Sequence, residues 1–197
     1  PMYDWPETRD ATDALWSALR PRLEAAGFED VPPTLERARP AAEIWADPDL
    51  LFAQTCGLPY VAGAARATRI VCTPVYELEG CGAGRYSSAL VARADGPADR
   101  AALHGARFAV NGADSLSGWA ALLAAFGPEG VGETVVTGAH RASIRAVAEG
   151  RAEAAAIDAV AWDLARRFEP AAAELRVLGW TDPAPAPPFV TSSIIES

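Results

Sequence analysis

The second half of the chain, from Arg107 onward, alternates between short apolar runs and segments in which apolar residues recur at helical spacing. The pattern predicts strands over residues 107–111, 133–137, 153–157 and 175–180, separated by helices over 116–126, 140–149 and 158–168. Successive strands that are joined by helices lie parallel, with right-handed crossovers. The alternation therefore predicts an α/β fold built on a parallel sheet.

Polar side chains stand where three of these strands end and the next helix begins. Ser115 and Ser117 follow the first strand, Thr137 and His140 follow the second, and Asp158 follows the third. Ligands of parallel sheets bind beyond the carboxyl ends of the strands, at the N-termini of the following helices. Hydroxyls, backbone amides and the positive end of a helix dipole together suit a bound anion.

Each of these residues also has a purely structural interpretation. The serines can cap the helix at 116–126, and His140 can be a capping or surface residue. Asp158 is predicted to be an N-cap first and a ligand contact second. The sequence pattern alone leaves both interpretations open.

The first half of the chain is less regular. A helix is predicted to open near Asp10 or Thr12 and to end at Gly27, with Pro21 kinking or splitting it. Its predicted apolar face comprises Ala14, Leu15, Ala18, Leu19 and Leu23. A second helix is predicted over 40–46, and strands are predicted over 2–5, 34–38, 49–54, 68–76 and 86–93. The glycine-dense stretch 80–84 is a candidate crossover between two lobes.

Composition limits the function classes. With 197 residues, 50% of them hydrophobic, the chain can bury a core as one domain or as two small lobes. No stretch approaches the roughly 20 apolar residues of a membrane span, and no signal-peptide pattern opens the chain. The net charge of −9 argues against a nucleic-acid partner.

Cys56, Cys72 and Cys81 lack the paired spacing of a zinc site, and the chain has only two histidines. We therefore expect neither a structural metal nor a cofactor. One disulfide with a spare thiol and three reduced thiols are both compatible with the sequence.

Several strings, in order along the chain, carry a family resemblance: MYDWPE, DLLFAQTCGLPYV, TPVYELEGCGAGRY, FAVNGADSLSG, TGAHRASIRAVAEGRAEAAAID, LRVLGWT and PAPPFVTS. They resemble the phosphate, phosphite and phosphonate substrate-binding proteins of ABC transporters, a branch of the type II periplasmic binding proteins. The resemblance covers nearly the whole chain.

This resemblance implies two α/β lobes, each a mainly parallel sheet flanked by helices, that close on an anionic solute. The first lobe would comprise residues 1–77 and 180–197, and the second residues 84–175. The two crossovers, near 77–85 and 179–182, would act as hinges. The chain starts later than the family pattern and ends before its usual C-terminal helices, which indicates a short member or part of a longer chain.

The resemblance also implies a set of ligand-binding residues. Ser115, Ser117 and Gly118 match the turn that holds the anion, and His140 matches a ligand-contacting histidine. Residues implied for the first lobe and the crossover are Tyr3 or Asp4, Gln54, Thr55 and Tyr86. Thr137 and Asp158, from the strand ends, complete the predicted site. Arg141 and Val160 stand where phosphonate-specific members carry acidic residues for an aminoalkyl group, which argues against an aminoalkylphosphonate.

The expected function is reversible binding of a small oxyanion, without catalysis, by a monomer that serves an ABC transporter permease. A periplasmic or membrane-associated extracytoplasmic location is expected, with the cytoplasm as the alternative. Two other functions remain open: an enzyme on the same fold, such as a menaquinone-pathway dehydratase, and a solute sensor without transport. A thiol nucleophile at Cys56 with His140 as base lacks a recognisable third partner.

Overall fold

The computed structural model describes residues 2–195, which separate into two compact units. The first unit comprises the chain up to Thr55, Tyr60–Cys72 and the chain from Pro187 on, and the second comprises Cys56–Pro59 and Thr73–Ala186. The lobe and hinge boundaries predicted from the sequence stay predictions, and residues 1, 196 and 197 of the first lobe lie outside the described residues.

The described residues form both helices and strands, as the predicted α/β class requires. The α-helices are α1 (Arg9–Ala25), α2 (Ala41–Trp45), α3 (Gly57–Ala62), α4 (Ala121–Phe126), α5 (His140–Ala148) and α6 (Ala159–Phe168). The strands are β1 (Ala53–Gln54), β2 (Thr68–Cys72), β3 (Cys81–Gly82), β4 (Arg85–Tyr86), β5 (Ser88–Arg93), β6 (Phe108–Val110), β7 (Thr134–Val136), β8 (Ala154–Asp158), β9 (Leu175–Trp180), β10 (Ala184–Pro185) and β11 (Phe189–Ser192). Short 3-10 helices lie at Pro6–Thr8, Ala64–Arg66, Ala101–Leu103, Pro128–Gly130 and Pro170–Glu174. None of the helices described between residues 2 and 195 has the length and apolar character of a membrane span.

The first unit contains a three-stranded sheet in the order β1-β11-β2, with both pairs antiparallel. This pairing differs from the mainly parallel sheet that the resemblance implied for this lobe. The predicted strand over 49–54 is reduced to its last two residues, because the Asp47 side chain accepts the Asp49 amide in a turn.

Two predicted strands of the first unit are wrong. Residues 2–5 and 34–38 have no strand structure. In the second stretch, the Glu36 carboxylate accepts the backbone amides of Ala38 and Arg39, at 2.6 Å and 3.2 Å. Side chains that bind nearby backbone amides compete with the hydrogen bonds between strands, which explains why no strand forms over 34–38.

Helix α1 runs unbroken through Pro21, so of the two predicted outcomes the split is wrong and the kink stays a prediction. Gly27 adopts a φ of +93° after the helix, as expected for a helix-ending glycine. The predicted apolar face is also wrong: Leu15 is 60% exposed, whereas Trp16 is buried. The indole of Trp16 donates to the Pro32 carbonyl at 3.0 Å, and a large aromatic ring with a bonded N–H buries more area than the leucine beside it.

The second unit confirms the alternating pattern. Its main sheet has the order β7-β6-β8-β5-β9, with β6 parallel to both β7 and β8. Strand β5 is antiparallel to β8 and β9, so four of the five strands run in one direction. A small antiparallel sheet, β10-β4-β3, lies in the same unit.

The core of this unit lies between the sheet and its helices. It includes Leu90, Leu103, Phe108 and Leu122, all fully buried, and every residue of β8 is buried as well. Because β8 lies between two other strands, its carboxyl end opens at the middle of the sheet edge.

Candidate functional site

Three predicted residues meet at the carboxyl edge of the main sheet. Ser117 Oγ lies 2.9 Å from His140 Nε2, and the same nitrogen lies 3.2 Å from Asp158 Oδ2. The three side chains follow β6, β7 and β8, and each is at most about a tenth exposed. The strand order therefore brings together residues that are up to 41 positions apart in the chain (158 − 117). We call these three residues the polar cluster.

The turn before α4 is π-helical, over Leu116–Ala120, and Ser115 caps it. Ser115 Oγ accepts the Gly118 amide at 2.9 Å, and its carbonyl accepts the Trp119 and Ala120 amides. Ser115 thus caps the helix, as its structural interpretation requires, and its predicted contact with a ligand stays a prediction. The Ser117 side chain has no such capping bond and contacts His140 instead.

Gly118 has no room for a side chain. A Cβ atom there would lie 1.8 Å from Asn111 Oδ1. That oxygen is buried and has no hydrogen-bond partner among the described residues. Asn111, directly after β6, is a site residue that the sequence reasoning missed, although its position after a strand was a usable signal.

Burial lowers the pKa of His140, and the Asp158 carboxylate partly opposes this by raising it. The Nε2 atom faces the carboxylate of Asp158, which can only accept, so the neutral ring carries its proton on Nε2. The Nδ1 atom is buried and has no partner among residues 2–195. Nδ1 is therefore a buried acceptor without a partner, on a ring whose Nε2 faces the Asp158 carboxylate.

Asp158 has two functions in this arrangement. Its Oδ1 accepts the Ala161 amide at 2.8 Å and caps α6, as predicted, whereas Oδ2 faces His140. The carboxylate is thereby fixed by the helix that follows β8.

Tyr86 and Cys56 border the polar cluster. Burial raises the pKa of Tyr86, with a smaller rise from Cys56 and Asp158, while a hydrogen bond with Ser117 lowers it. Burial also raises the pKa of the Cys56 thiol. Both groups are therefore neutral near pH 7.

Ser88, at the start of β5, is a second residue that the sequence reasoning missed. Its hydroxyl donates to the Ser117 carbonyl at 2.9 Å and so supports the turn that carries Ser117. Ser88 also pairs with Asp158 in the sheet.

Thr137 forms hydrogen bonds that hold its own loop, and its predicted contact with a ligand stays a prediction. Its amide donates to the Val110 carbonyl at 2.8 Å, and its hydroxyl lies 2.7 Å from Ser143 Oγ. These bonds fix the loop between β7 and α5 and therefore the start of the helix that carries His140.

Tyr3 and Asp4 belong to the first unit. Arg37 donates to Asp4 Oδ2 at 2.6 Å and to Oδ1 at 2.9 Å, and Thr12 donates to Oδ1 at 2.6 Å. The hydrogen bond from Arg37 lowers the pKa of Asp4 to about 2. The Tyr3 carbonyl accepts the hydroxyl of Thr8. A role for either residue in ligand binding stays a prediction.

Gln54 and Thr55 are buried in the first unit. Gln54 Nε2 donates to the Pro187 carbonyl at 3.0 Å, and the Thr55 amide donates to the Pro188 carbonyl at 3.1 Å. These contacts join the end of β1 to the two prolines that precede β11. Their predicted contact with a ligand likewise remains a prediction.

Within the described part of the chain, no group of three or more His, Cys, Asp or Glu side chains is placed to hold a metal ion. Cys56, Cys72 and Cys81 form no disulfide with one another.

The chain belongs to the family of periplasmic substrate-binding proteins of phosphonate ABC transporters, whose family model matches residues 9–196. This match confirms the resemblance seen in the sequence. Among curated proteins, none matches the chain by sequence.

Three solved structures share the fold at low identity. XAC2383 from Xanthomonas citri, solved bound to ATP, has a TM-score of 0.64 at 18% identity, covering 92% of this chain and 72% of that one. A binding protein component of an ABC phosphonate transporter from Pseudomonas aeruginosa has a TM-score of 0.67 at 17% identity. The match covers 93% of this chain and 65% of that one. PhnD1 from Prochlorococcus marinus, in complex with methylphosphonate, has a TM-score of 0.62 at 16% identity. The match covers 78% of this chain and 61% of that one.

Proposed function

We propose that this protein binds a small phosphorus oxyanion, such as phosphate, phosphite or a phosphonate, reversibly and without turnover. The observation that carries the proposal is the polar cluster of Ser117, His140 and Asp158 at the carboxyl edge of a parallel sheet. This edge is where parallel sheets bind ligands. The ligands of two structural neighbours, ATP and methylphosphonate, both contain tetrahedral phosphorus oxyanions.

The charges of the cluster favour a ligand that carries a proton. The Asp158 carboxylate and the neutral His140 offer no positive charge, so a fully deprotonated anion would be repelled. Phosphate monoesters have a second pKa of about 6, so that a minor fraction carries a proton near neutral pH and the site can select it. Sulfate has no such proton, and we expect it to bind weakly.

The geometry supports binding over catalysis. In a Ser-His-Asp triad the serine and the carboxylate contact different imidazole nitrogens, so that one nitrogen takes the serine proton while the carboxylate orients the ring through the other. Here Ser117 Oγ and Asp158 Oδ2 both contact Nε2 of His140. Cys56, whose raised pKa keeps it a thiol, is a poor nucleophile.

The wider role follows from the family. Delivery of the solute to an ABC transporter permease from the periplasmic side is expected, with the protein acting as a monomer. Contacts from the first lobe, which would let the ligand favour a closed state, remain predicted. A sensor without a permease is the remaining alternative, because such a protein would bind the solute in the same way.

Isothermal titration calorimetry with phosphate, phosphite, methylphosphonate, sulfate and small carboxylates tests the proposal. We expect saturable binding of at least one phosphorus oxyanion, with every added molecule recovered unchanged. His140→Gln should weaken this binding about 10- to 150-fold, since it removes a hydrogen bond to a charged group. His104→Gln, in a ring contact with Phe126 outside the cluster, is the matched control. Binding of a neutral metabolite and of no anion would contradict the proposal.

A further inference from the structure

A cavity of about 240 Å³ lies in the second unit, beside the polar cluster. One wall consists of Ala120 and three alanines of α4: Ala121, Ala124 and Ala125. Tyr86, Ser88 and Ser117 form part of another wall, and Thr181 and the exposed Asp182 add two more polar side chains to the lining. Because alanine side chains end at a methyl group, the helix leaves open space that larger residues would fill.

The cavity and the polar cluster share residues. Ser117 contacts His140 through its hydroxyl and also lines the cavity. Tyr86, which hydrogen-bonds with Ser117, lines it as well. A ligand atom held at the Ser117 hydroxyl would therefore lie next to the cavity.

The size and lining of the cavity suit an apolar group. An engineered cavity of about 150 Å³ lined by apolar side chains stays dry and binds benzene. The present cavity is larger, and most of its lining is apolar: its wall from Ala120 to Ala125 offers methyl groups, whereas Ser88, Thr181 and Asp182 contribute polar groups elsewhere in the lining. An inorganic anion would leave this space unused.

We propose that the cavity receives the organic substituent of a phosphonate, and that the natural ligand carries an apolar group of about three to six carbons. This inference rests on the proposed function, since the oxyanion head would lie at the polar cluster.

A ligand series on the unmodified protein tests the inference by calorimetry. The probes are phosphate, methylphosphonate, ethylphosphonate, propylphosphonate and phenylphosphonate. Each methylene that leaves water should lower the Kd about fourfold, so propylphosphonate should bind about 15-fold more tightly than methylphosphonate. Phenylphosphonate should bind at least as tightly as the ethyl compound.

Cavity-filling variants supply a second measurement. Ala121→Leu places a larger side chain on the cavity wall while keeping a good helix former. It should abolish the advantage of propylphosphonate over methylphosphonate and change phosphate affinity by less than about twofold. Ala125→Leu fills the cavity from another position and replaces the first variant if that one folds poorly. Ala102→Leu, an exposed position outside the cavity, is the matched control and should keep the advantage.

The outcomes separate this inference from the proposed function. If phosphate and methylphosphonate bind but longer substituents give equal or weaker affinity, the inference is wrong and the proposed function stands. An advantage of propylphosphonate that persists in both cavity-filling variants also overturns it. If no phosphorus oxyanion binds, both are wrong.

Discussion

Replacing Ser117 with alanine removes one oxygen from the middle of the polar cluster. If that hydroxyl donates to the bound oxyanion, the lost hydrogen bond to a charged group is worth about 1.5 to 3 kcal/mol. Affinity for the phosphorus oxyanion should then fall about 10- to 150-fold.

The same change should also lower stability. The hydroxyl lies 2.9 Å from His140 Nε2 and hydrogen-bonds with Tyr86, and Tyr86 is buried. His140 keeps its contact with Asp158, whereas Tyr86 loses a partner, at a cost of about 1 to 3 kcal/mol. For a chain of this size, each kcal/mol lowers the melting temperature by about 2 to 4 °C.

Ser115→Ala is the matched control, because it lies two positions away and is equally buried. It removes the cap on Gly118 and should cost about 0.5 to 2 kcal/mol of stability, yet it removes no group of the polar cluster. Calorimetry and thermal unfolding of both variants should therefore show similar destabilisation, with a large affinity loss only for Ser117→Ala. Equal affinity losses in the two variants would refute a direct role for the Ser117 hydroxyl.

Three further predictions concern the pH dependence of stability, the room for a side chain at Gly118, and the ion pair of Asp4. The pKa of His140 lies below its ordinary value, so the unfolded state binds more protons and the unfolding free energy should decline as the pH drops below about 6.5; His140→Gln should flatten this profile in melting curves between pH 8 and 5. Gly118→Ala should cost about 1 to 3 kcal/mol in denaturant unfolding because its Cβ would overlap Asn111 Oδ1, whereas Gly82→Ala, with open space around it, should cost less than half as much. Asp4→Asn should lower the melting temperature in thermal unfolding, through a loss of about 1 to 2 kcal/mol in charged hydrogen bonds; an unchanged melting temperature would show that the bonds from Arg37 to Asp4 contribute nothing to stability.

The strands and helices that were predicted between residues 107 and 180 lie within about two residues of the observed ones, whereas β10 and the 3-10 helices of this half had no prediction. The predicted strand 175–180 coincides with β9, and the predicted helix 140–149 differs from α5 by one residue. These segments are predictable because their apolar periodicity agrees with burial: Ile144 and Val147 of α5 are fully buried. In the first unit the periodicity of α1 predicted the wrong buried face, because the helix buries Trp16 instead of the smaller apolar residues on the predicted face.

The composition of the polar cluster was predictable, but its contacts were not. Placing Ser117, His140 and Asp158 after successive strands required only the alternating pattern. Their distances depend on the strand order β7-β6-β8, which local sequence does not encode. Ser88 was missed for a related reason: β5 runs against its neighbours, so its first residue lies at the edge where β8 ends.

The central strand of the first unit's sheet is also the last strand of the described chain. Strand β11 pairs with β1 and β2, and Thr191 donates to the Leu50 carbonyl across 141 positions. Proteins are synthesised from the N-terminus at about 5 to 20 residues per second, so every strand of the second unit leaves the ribosome before β11 does. Meanwhile β1 and β2 have unpaired edges, which are prone to wrong association. Translation that stops before residue 189 would leave the strands of the second unit complete and would deprive the first unit of the strand that joins its sheet.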